Sequence, residues 1–233
     1  MYNLLISIAI SVATTALFAV ILGGKVWYGI GPGLIALLIA YFLLARRSMR
    51  MVEAAMLLAQ EEMKNQRIDR GIELMKAAYP LAKWQFLVRS QIDGQIGYVL
   101  YMSKKFDESE QYLRKAFKRN WVPRAMLATL LYKKKKYDEM KSVFEEAVQH
   151  NKKEALLWNI YAYCLWKTNE REEAIKVLNR AIEIVPNDEK TSANLKALQN
   201  NKKMKMRGWN LLWYQFHLDS PPAQQAQMQF RRR

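Results

Sequence analysis

The sequence predicts an all-α protein: a two-helix transmembrane hairpin followed by an α-solenoid of stacked helical hairpins with a capping helix. Three observations predict it. Two apolar runs, residues 4–22 and 26–45, follow one another with only Gly23, Gly24 and Lys25 between them. Lys25 is the sole charged side chain before Arg46, Arg47 and Arg50. Beyond residue 50, small residues recur in pairs at a fixed separation of 19, at 97 and 116, 128 and 147, 162 and 181.

At about 1.5 Å rise per residue, helices over 4–22 and 26–45 each cross a hydrocarbon core of roughly 30 Å. The link is too short for a folded domain, so the second span returns to the side where the first began. Arginines near membrane ends are retained on the cytoplasmic side, and three oppose one lysine. Both termini are therefore expected in the cytoplasm, with Arg46, Arg47 and Arg50 at the membrane surface. A cleavable signal peptide fits poorly, since no Lys or Arg precedes the first run and no small-x-small cleavage site follows it. Trp27 and Tyr28 suit the outer interface and Tyr41 the inner one. Residues 29–33 (Gly-Ile-Gly-Pro-Gly) can be read as a turn or as helix. A turn would leave a second span about 21 Å long, so a helix loosened at Pro32 fits better. Ser7, Ser11 and Thr15 on the first span, with Gly29 and Gly33 on the second, have the four-residue spacing that permits close backbone approach.

The chain has 233 residues and a formal charge of +16. Its length beyond the hairpin allows one soluble domain of ordinary size. Cys164 is the only cysteine, and the two histidines, His150 and His217, are far apart, which argues against a disulfide or a metal site. No metal or cofactor is expected. The basic charge is compatible with nucleic acid, anionic lipid or an acidic partner and does not choose among them.

The clearest repeat runs from 155 to 188. Trp158, Ala162 and Leu165 mark the buried face of one helix, Ala174, Leu178 and Ala181 that of a second, and Pro186 follows. This resembles the tetratricopeptide repeat, matching its Trp, Ala, Ala and Pro positions at Trp158, Ala174, Ala181 and Pro186. Equivalent units cover 121–154 (Ala128, Leu131, Phe144, Ala147) and 90–120 (Gly97, Leu100, Leu113, Ala116). A fainter one over 52–89 has Ala59, Gly71, Met75 and Ala78. Asn187 or Asp188 can cap a final helix over 189–201 carrying Leu195 and Leu198. The expected organisation is thus a hairpin over 1–50, a solenoid over 51–201, and a basic, aromatic segment with a disordered tail over 202–233. The first repeat helix begins so soon after Arg50 that no flexible linker separates anchor from solenoid. Lys104, Lys105 and residues 133–136 form one basic edge of the solenoid; Arg119, Arg124, Lys152 and Lys153 form another.

The resemblance implies an inner groove lined by the first helix of each unit. Aligned positions give Gln91, Gly94, Tyr98 and Tyr101; Val122, Ala125, Thr129 and Tyr132; Leu156, Asn159, Tyr163 and Trp166. Tyr98, Tyr101, Tyr132, Asn159, Tyr163 and Trp166 are the candidate partner-binding residues. Their rings offer large contact area with few rotors, or pack against neighbouring helices or the chain's own tail. The Lys and Asn positions with which some relatives grip a C-terminal carboxylate are not matched. Trp209, Trp213 and Phe216 form an amphipathic aromatic stretch after the basic residues 202–207; it can dock on a partner, lie among headgroups, or cover the end of the solenoid. No phosphate loop, nucleophile-histidine pattern or paired acids are present, so no enzyme activity is expected. The expected function is a scaffold or adaptor at the cytoplasmic face of a bacterial inner membrane, holding protein subunits of a membrane-associated complex. A homo-oligomer is compatible with this. The alternative is an electrostatic tether for nucleic acid or anionic lipid, though a nucleic-acid partner is not expected.

Overall fold

The computed structural model describes residues 1–209 and 211–220. It divides into two compact units, Met1–Val99 and Leu100–Arg233. In the first, α1 (Tyr2–Ile21) and α2 (Trp27–Lys64) form a helical hairpin, followed by α3 (Ile68–Ala77), a 3-10 turn (Tyr79–Lys83) and α4 (Val88–Met102), within which the division falls. The turn of the hairpin uses Gly23 and Gly24 at φ of 98° and 81°, a region that costs glycine little, and the Gly24 N–H reaches back to the Ala19 carbonyl at 2.8 Å. Helix α1 and the start of α2 are long and apolar enough to cross a membrane, with mean hydropathy of 2.5 and 2.0. Their apolar side chains mostly face outward: Leu5, Val12, Leu17, Leu38 and Phe42 are all exposed.

The residues between the two helices are the small and polar ones. Gly29 and Gly33 are buried, and a Cβ on Gly29 would stand 2.0 Å from the Thr15 carbonyl oxygen. One on Gly33 would stand 1.9 Å from the Thr15 hydroxyl oxygen. Ser11 Oγ donates to the Gly33 carbonyl at 2.8 Å. Pro32 lies inside α2, so residues 29–33 are helix rather than a turn. A proline this early in the helix costs one N–H bond and leaves the crossing intact.

The second unit holds α5 (Phe106–Leu113), α6 (Trp121–Lys133), α7 (Tyr137–His150), α8 (Ala155–Lys167), α9 (Arg171–Ile184) and α10 (Glu189–Gln199). A 3-10 turn (Arg207–Trp209) and one helical turn, α11 (Leu211–Tyr214), follow. Consecutive helices pair into hairpins, α6 with α7 and α8 with α9, and the small-residue pairs Ala128 with Ala147 and Ala162 with Ala181 are buried at their crossings. Leu131, Phe144, Leu165 and Leu178 fill the space beside them, each fully or nearly fully buried. Burying such a side chain contributes about 1.5–3 kcal/mol relative to exposure. Phe144 stacks on Tyr161 at 4.9 Å between centroids, joining adjacent hairpins.

The repeat is also written in the backbone. Gln66, Lys104, Lys135 and Asn169, each at the turn inside a hairpin, adopt φ between 58° and 69°. The following N–H of Lys105, Lys136 and Glu170 bonds the carbonyls of Leu100, Leu131 and Leu165 at 2.9 Å, closing each first helix with a Schellman turn. The next helix then opens with an acidic pair, Asp107 and Glu108, Asp138 and Glu139, or Glu172 and Glu173, which complements the helix dipole. Asp188 caps α10 by accepting the Thr191 N–H at 2.7 Å.

Three expectations differ from the structure. The boundary placed at residue 50 falls inside α2, because nothing between Arg46 and Lys64 stops a helix. The hairpin and the first repeat therefore share one unit. Residues 202–220 do not form a separate segment: Met204, Met206, Trp213, Tyr214 and Phe216 are buried within the second unit. Arg124, expected on a basic edge, is buried and forms an ion pair with Glu146. The disordered tail expected over 220–233 lies, apart from Ser220, outside the described residues.

Candidate functional site

The face presented by Tyr101, α6, α8 and α10 in the second unit carries the candidate residues, and the chain's own segment 204–219 lies along it. The path starts at α10, where the Lys205 N–H bonds the side-chain carbonyl of Asn194 at 2.7 Å and Lys190 Nζ sits 4.6 Å over the Trp209 ring. Trp213 then packs edge-on against Tyr163 of α8, with centroids 4.8 Å apart. Phe216 lies 6.2 Å from Trp121 at the start of α6, and its carbonyl accepts the Tyr101 hydroxyl at 2.7 Å. Asp219 ends the path by accepting from Tyr163 Oη and Trp213 Nε1, both at 3.2 Å.

Trp213 and Phe216 are fully buried and one turn apart, so both reach the same face from α11 and the turn after it. Tyr101 is fully buried as well, and its hydroxyl lies 2.9 Å from that of Thr129. Burial pushes the Tyr101 phenol well above its ordinary pKa. Burial, followed by the Asp219 carboxylate, does the same for Tyr163. Both rings act as neutral donors and apolar walls at physiological pH.

Of the other predicted residues, Asn159 is fully buried and committed inside the chain. Its amide donates to the Ala155 carbonyl (2.8 Å) and Thr191 Oγ1 (2.7 Å) and accepts from Asn194 (2.8 Å), tying α8 to α10. Tyr132 and Trp166 are half-buried; Tyr132 lies 6.4 Å from Tyr137 and Trp166 5.7 Å from Tyr163. Tyr98 is half-buried on the part of α4 that belongs to the first unit. Arg46, Arg47 and Arg50 are exposed on α2 and line a shallow depression with Leu43, Met51 and Ala54.

Two residues outside the aligned first-helix positions and the aromatic stretch also belong to this face. His217, at φ 50°, lies 5.5 Å from the Tyr101 ring and 5.9 Å from Phe106. Burial, then the charges of Lys133 and Lys104, push its imidazole below the ordinary pKa. Asp219, described above, is the other. Neither follows a periodic pattern, so no local signal marks them.

The basic edge is partly spent. Lys134 binds Asp107 and Glu110 at 2.7 and 2.8 Å, and Lys133 Nζ sits 4.6 Å over the Phe106 ring. The hydrogen bond from Lys134 holds the Glu110 carboxyl below its usual range, aided by Arg114. Among the described residues no group of three or more His, Cys, Asp or Glu side chains could hold a metal ion. Cys164 is buried, and burial pushes its thiol up, out of the reactive range.

An array of antiparallel helix pairs with buried small residues, a Schellman turn per hairpin and an aromatic first-helix face defines a helical-repeat protein of the protein-binding type. Within this array, residues 135–198 match the tetratricopeptide repeat family model. Among solved structures, one titled "MamA RS-1 ArsTM double mutant" is similar, at 14% identity and a TM-score of 0.46, over 64% of this chain and 95% of that one. No curated protein matches the chain by sequence.

Proposed function

We propose that the protein is a membrane-anchored scaffold: the α1–α2 hairpin fixes it in a bacterial inner membrane with both termini in the cytoplasm, and its repeats hold protein subunits of a membrane-associated complex. The observation that carries this reading is the seating of segment 204–219 on the first-helix face. That face accepts an aromatic-x-x-aromatic segment with an acid three residues further on, which is the chemistry of a short peptide or helix supplied by a partner. In the structure the chain supplies it itself. A partner engages the face by displacing Trp213 and Phe216, with Tyr132 and Trp166 as further anchors beside them. The family match supports a protein-interaction role. The exposed apolar surface of α1 and α2 supports the anchor.

The test is affinity purification of the full chain from mild detergent. A double substitution Tyr132→Ala and Trp166→Ala is expected to lose partners. Trp213→Ala with Phe216→Ala is expected to raise their recovery by freeing the face. Lys135→Gln with Lys136→Gln is expected to change only the salt sensitivity. If the lysine variant alone loses the partners, the protein is an electrostatic tether instead.

A further inference from the structure

Residues 84–87 join the 3-10 turn Tyr79–Lys83 to α4 and leave three large apolar side chains on the surface. Trp84 is 40% exposed, Phe86 48% and Leu87 39%. Leu87 is held at φ 68°, a region that a branched side chain rarely adopts, with its carbonyl fixed by Ser90 Oγ at 2.9 Å. A segment kept in a costly conformation with its apolar side chains turned outward calls for something outside the chain to cover it.

The segment's level on the hairpin indicates what that is. The Asn3 N–H bonds the Trp84 carbonyl at 3.2 Å, and the Tyr2 ring meets the Trp84 ring edge-on at 5.4 Å. Gln85 accepts from Asn3 Nδ2 at 3.3 Å and donates to the Tyr41 hydroxyl at 3.0 Å. Asn3 Nδ2 also donates to Ser48 Oγ at 2.8 Å, and Asn3 and Ser48 are both buried. Residues 84–87 are thus fastened beside the stretch of α2 between Tyr41 and Ser48. That is where the apolar span gives way to Arg46, Arg47 and Arg50, and it is also where α1 begins. The charge fits an anionic surface: residues 74–92 contain Lys76, Lys83 and Arg89 and no acid.

We propose that Trp84, Phe86 and Leu87 form a membrane-interface contact, seated among the lipid headgroups of the leaflet that Arg46, Arg47 and Arg50 border. Aromatic rings favour this depth, where an apolar body enters the acyl boundary and polar neighbours stay wet. The contact makes the start of the repeats a third attachment to the bilayer besides the two spans. It rests on the reading that α1 and α2 span the membrane.

The experiment uses the full chain in vesicles of phosphatidylcholine and phosphatidylglycerol, labelled with a fluorophore at one introduced cysteine. Phe86→Cys reports the proposed contact, Leu38→Cys the bilayer interior, and Lys152→Cys the aqueous phase; the buried Cys164 stays unlabelled. The Phe86 label is expected to lose most of its emission to lipids carrying a nitroxide near the headgroup, while the Lys152 label keeps its own. Trp84→Cys repeats the measurement at the neighbouring ring. If the Leu38 label is quenched by nitroxide deep in the chains and neither the Phe86 nor the Trp84 label responds to the shallow one, the contact is absent and the hairpin stands. If the Leu38 label is not quenched, the spanning hairpin falls and the contact with it.

Discussion

The α1–α2 crossing and the α8–α9 crossing solve the same geometric problem in opposite ways. Both bring helices together over small residues. At α1–α2 the interior holds Gly29, Gly33, Ser11 and Thr15, and the apolar side chains face outward. At α8–α9 the interior holds Ala162 and Ala181 among Leu165, Val177 and Leu178, and residues such as Glu172, Glu173 and Lys176 face outward. The solenoid is held by removing apolar surface from water, and alanine sets the distance between helices. In the proposed bilayer setting the hairpin gains nothing comparable from turning leucines inward, so direct backbone approach and hydroxyl hydrogen bonds hold it. Small residues at a helix crossing therefore carry different energetics on the two sides of residue 46.

The sharpest way to break the comparison is Gly29→Ala. Its Cβ meets a backbone carbonyl at 2.0 Å, which cannot rotate away. The helices must separate, at a cost of about 3 kcal/mol. Gly31→Ala is the control, since nothing lies within 4 Å of its Cβ. That variant is expected to gain up to about 1 kcal/mol from helix propensity. Denaturation of the two variants in detergent micelles, followed by circular dichroism, checks this, and equal stability would remove the small-residue crossing from the account.

Ala162→Leu tests the solenoid side. Ala162 is fully buried, and overpacking there is expected to cost about 2 kcal/mol. An unchanged melting curve for the full chain in detergent would mean that Ala162 is not at a tight crossing. A smaller effect, with the opposite sign, is expected at the turns. Lys135 adopts φ 58°, so Lys135→Gly relieves left-handed strain and is expected to stabilise by about 1 kcal/mol in the same melt.

The smallest effect concerns a half-buried polar group packed on the solenoid, His217. Its pKa in the docked tail is depressed, so the undocked tail binds a proton more readily. The stabilisation is complete above the ordinary histidine pKa and is lost as pH falls through the depressed value. Limited proteolysis of the segment after α10 is therefore expected to speed up between neutral and mildly acidic pH. His217→Gln should abolish that dependence.

Much of the fold was legible because it is local and periodic. The paired small residues at 19-residue separation mark the crossings, and the apolar runs mark α1 and the start of α2. Pro186 and Asp188 bracket the turn into α10. The aromatic character of the first-helix face was equally visible, since Tyr101, Tyr132, Tyr163 and Trp166 recur at aligned positions. Their accessibility was not. Tyr101 and Phe216 are 115 residues apart, and no spacing rule says that one hydroxyl finds the other's carbonyl.

By itself, then, the sequence determined which segments are helical, which faces are apolar and how the repeats register, because a helix reads its own neighbours three and four residues away. Only the tertiary structure decided that α2 runs unbroken from the apolar span into the first repeat, that Asn3 fastens residues 84–87 to the hairpin, and that segment 204–219 fills the first-helix face. These are pairings between distant segments. They depend on which surfaces remain unburied once every local element has formed, and burial of the polar groups that happen to meet there requires partners that no local pattern specifies.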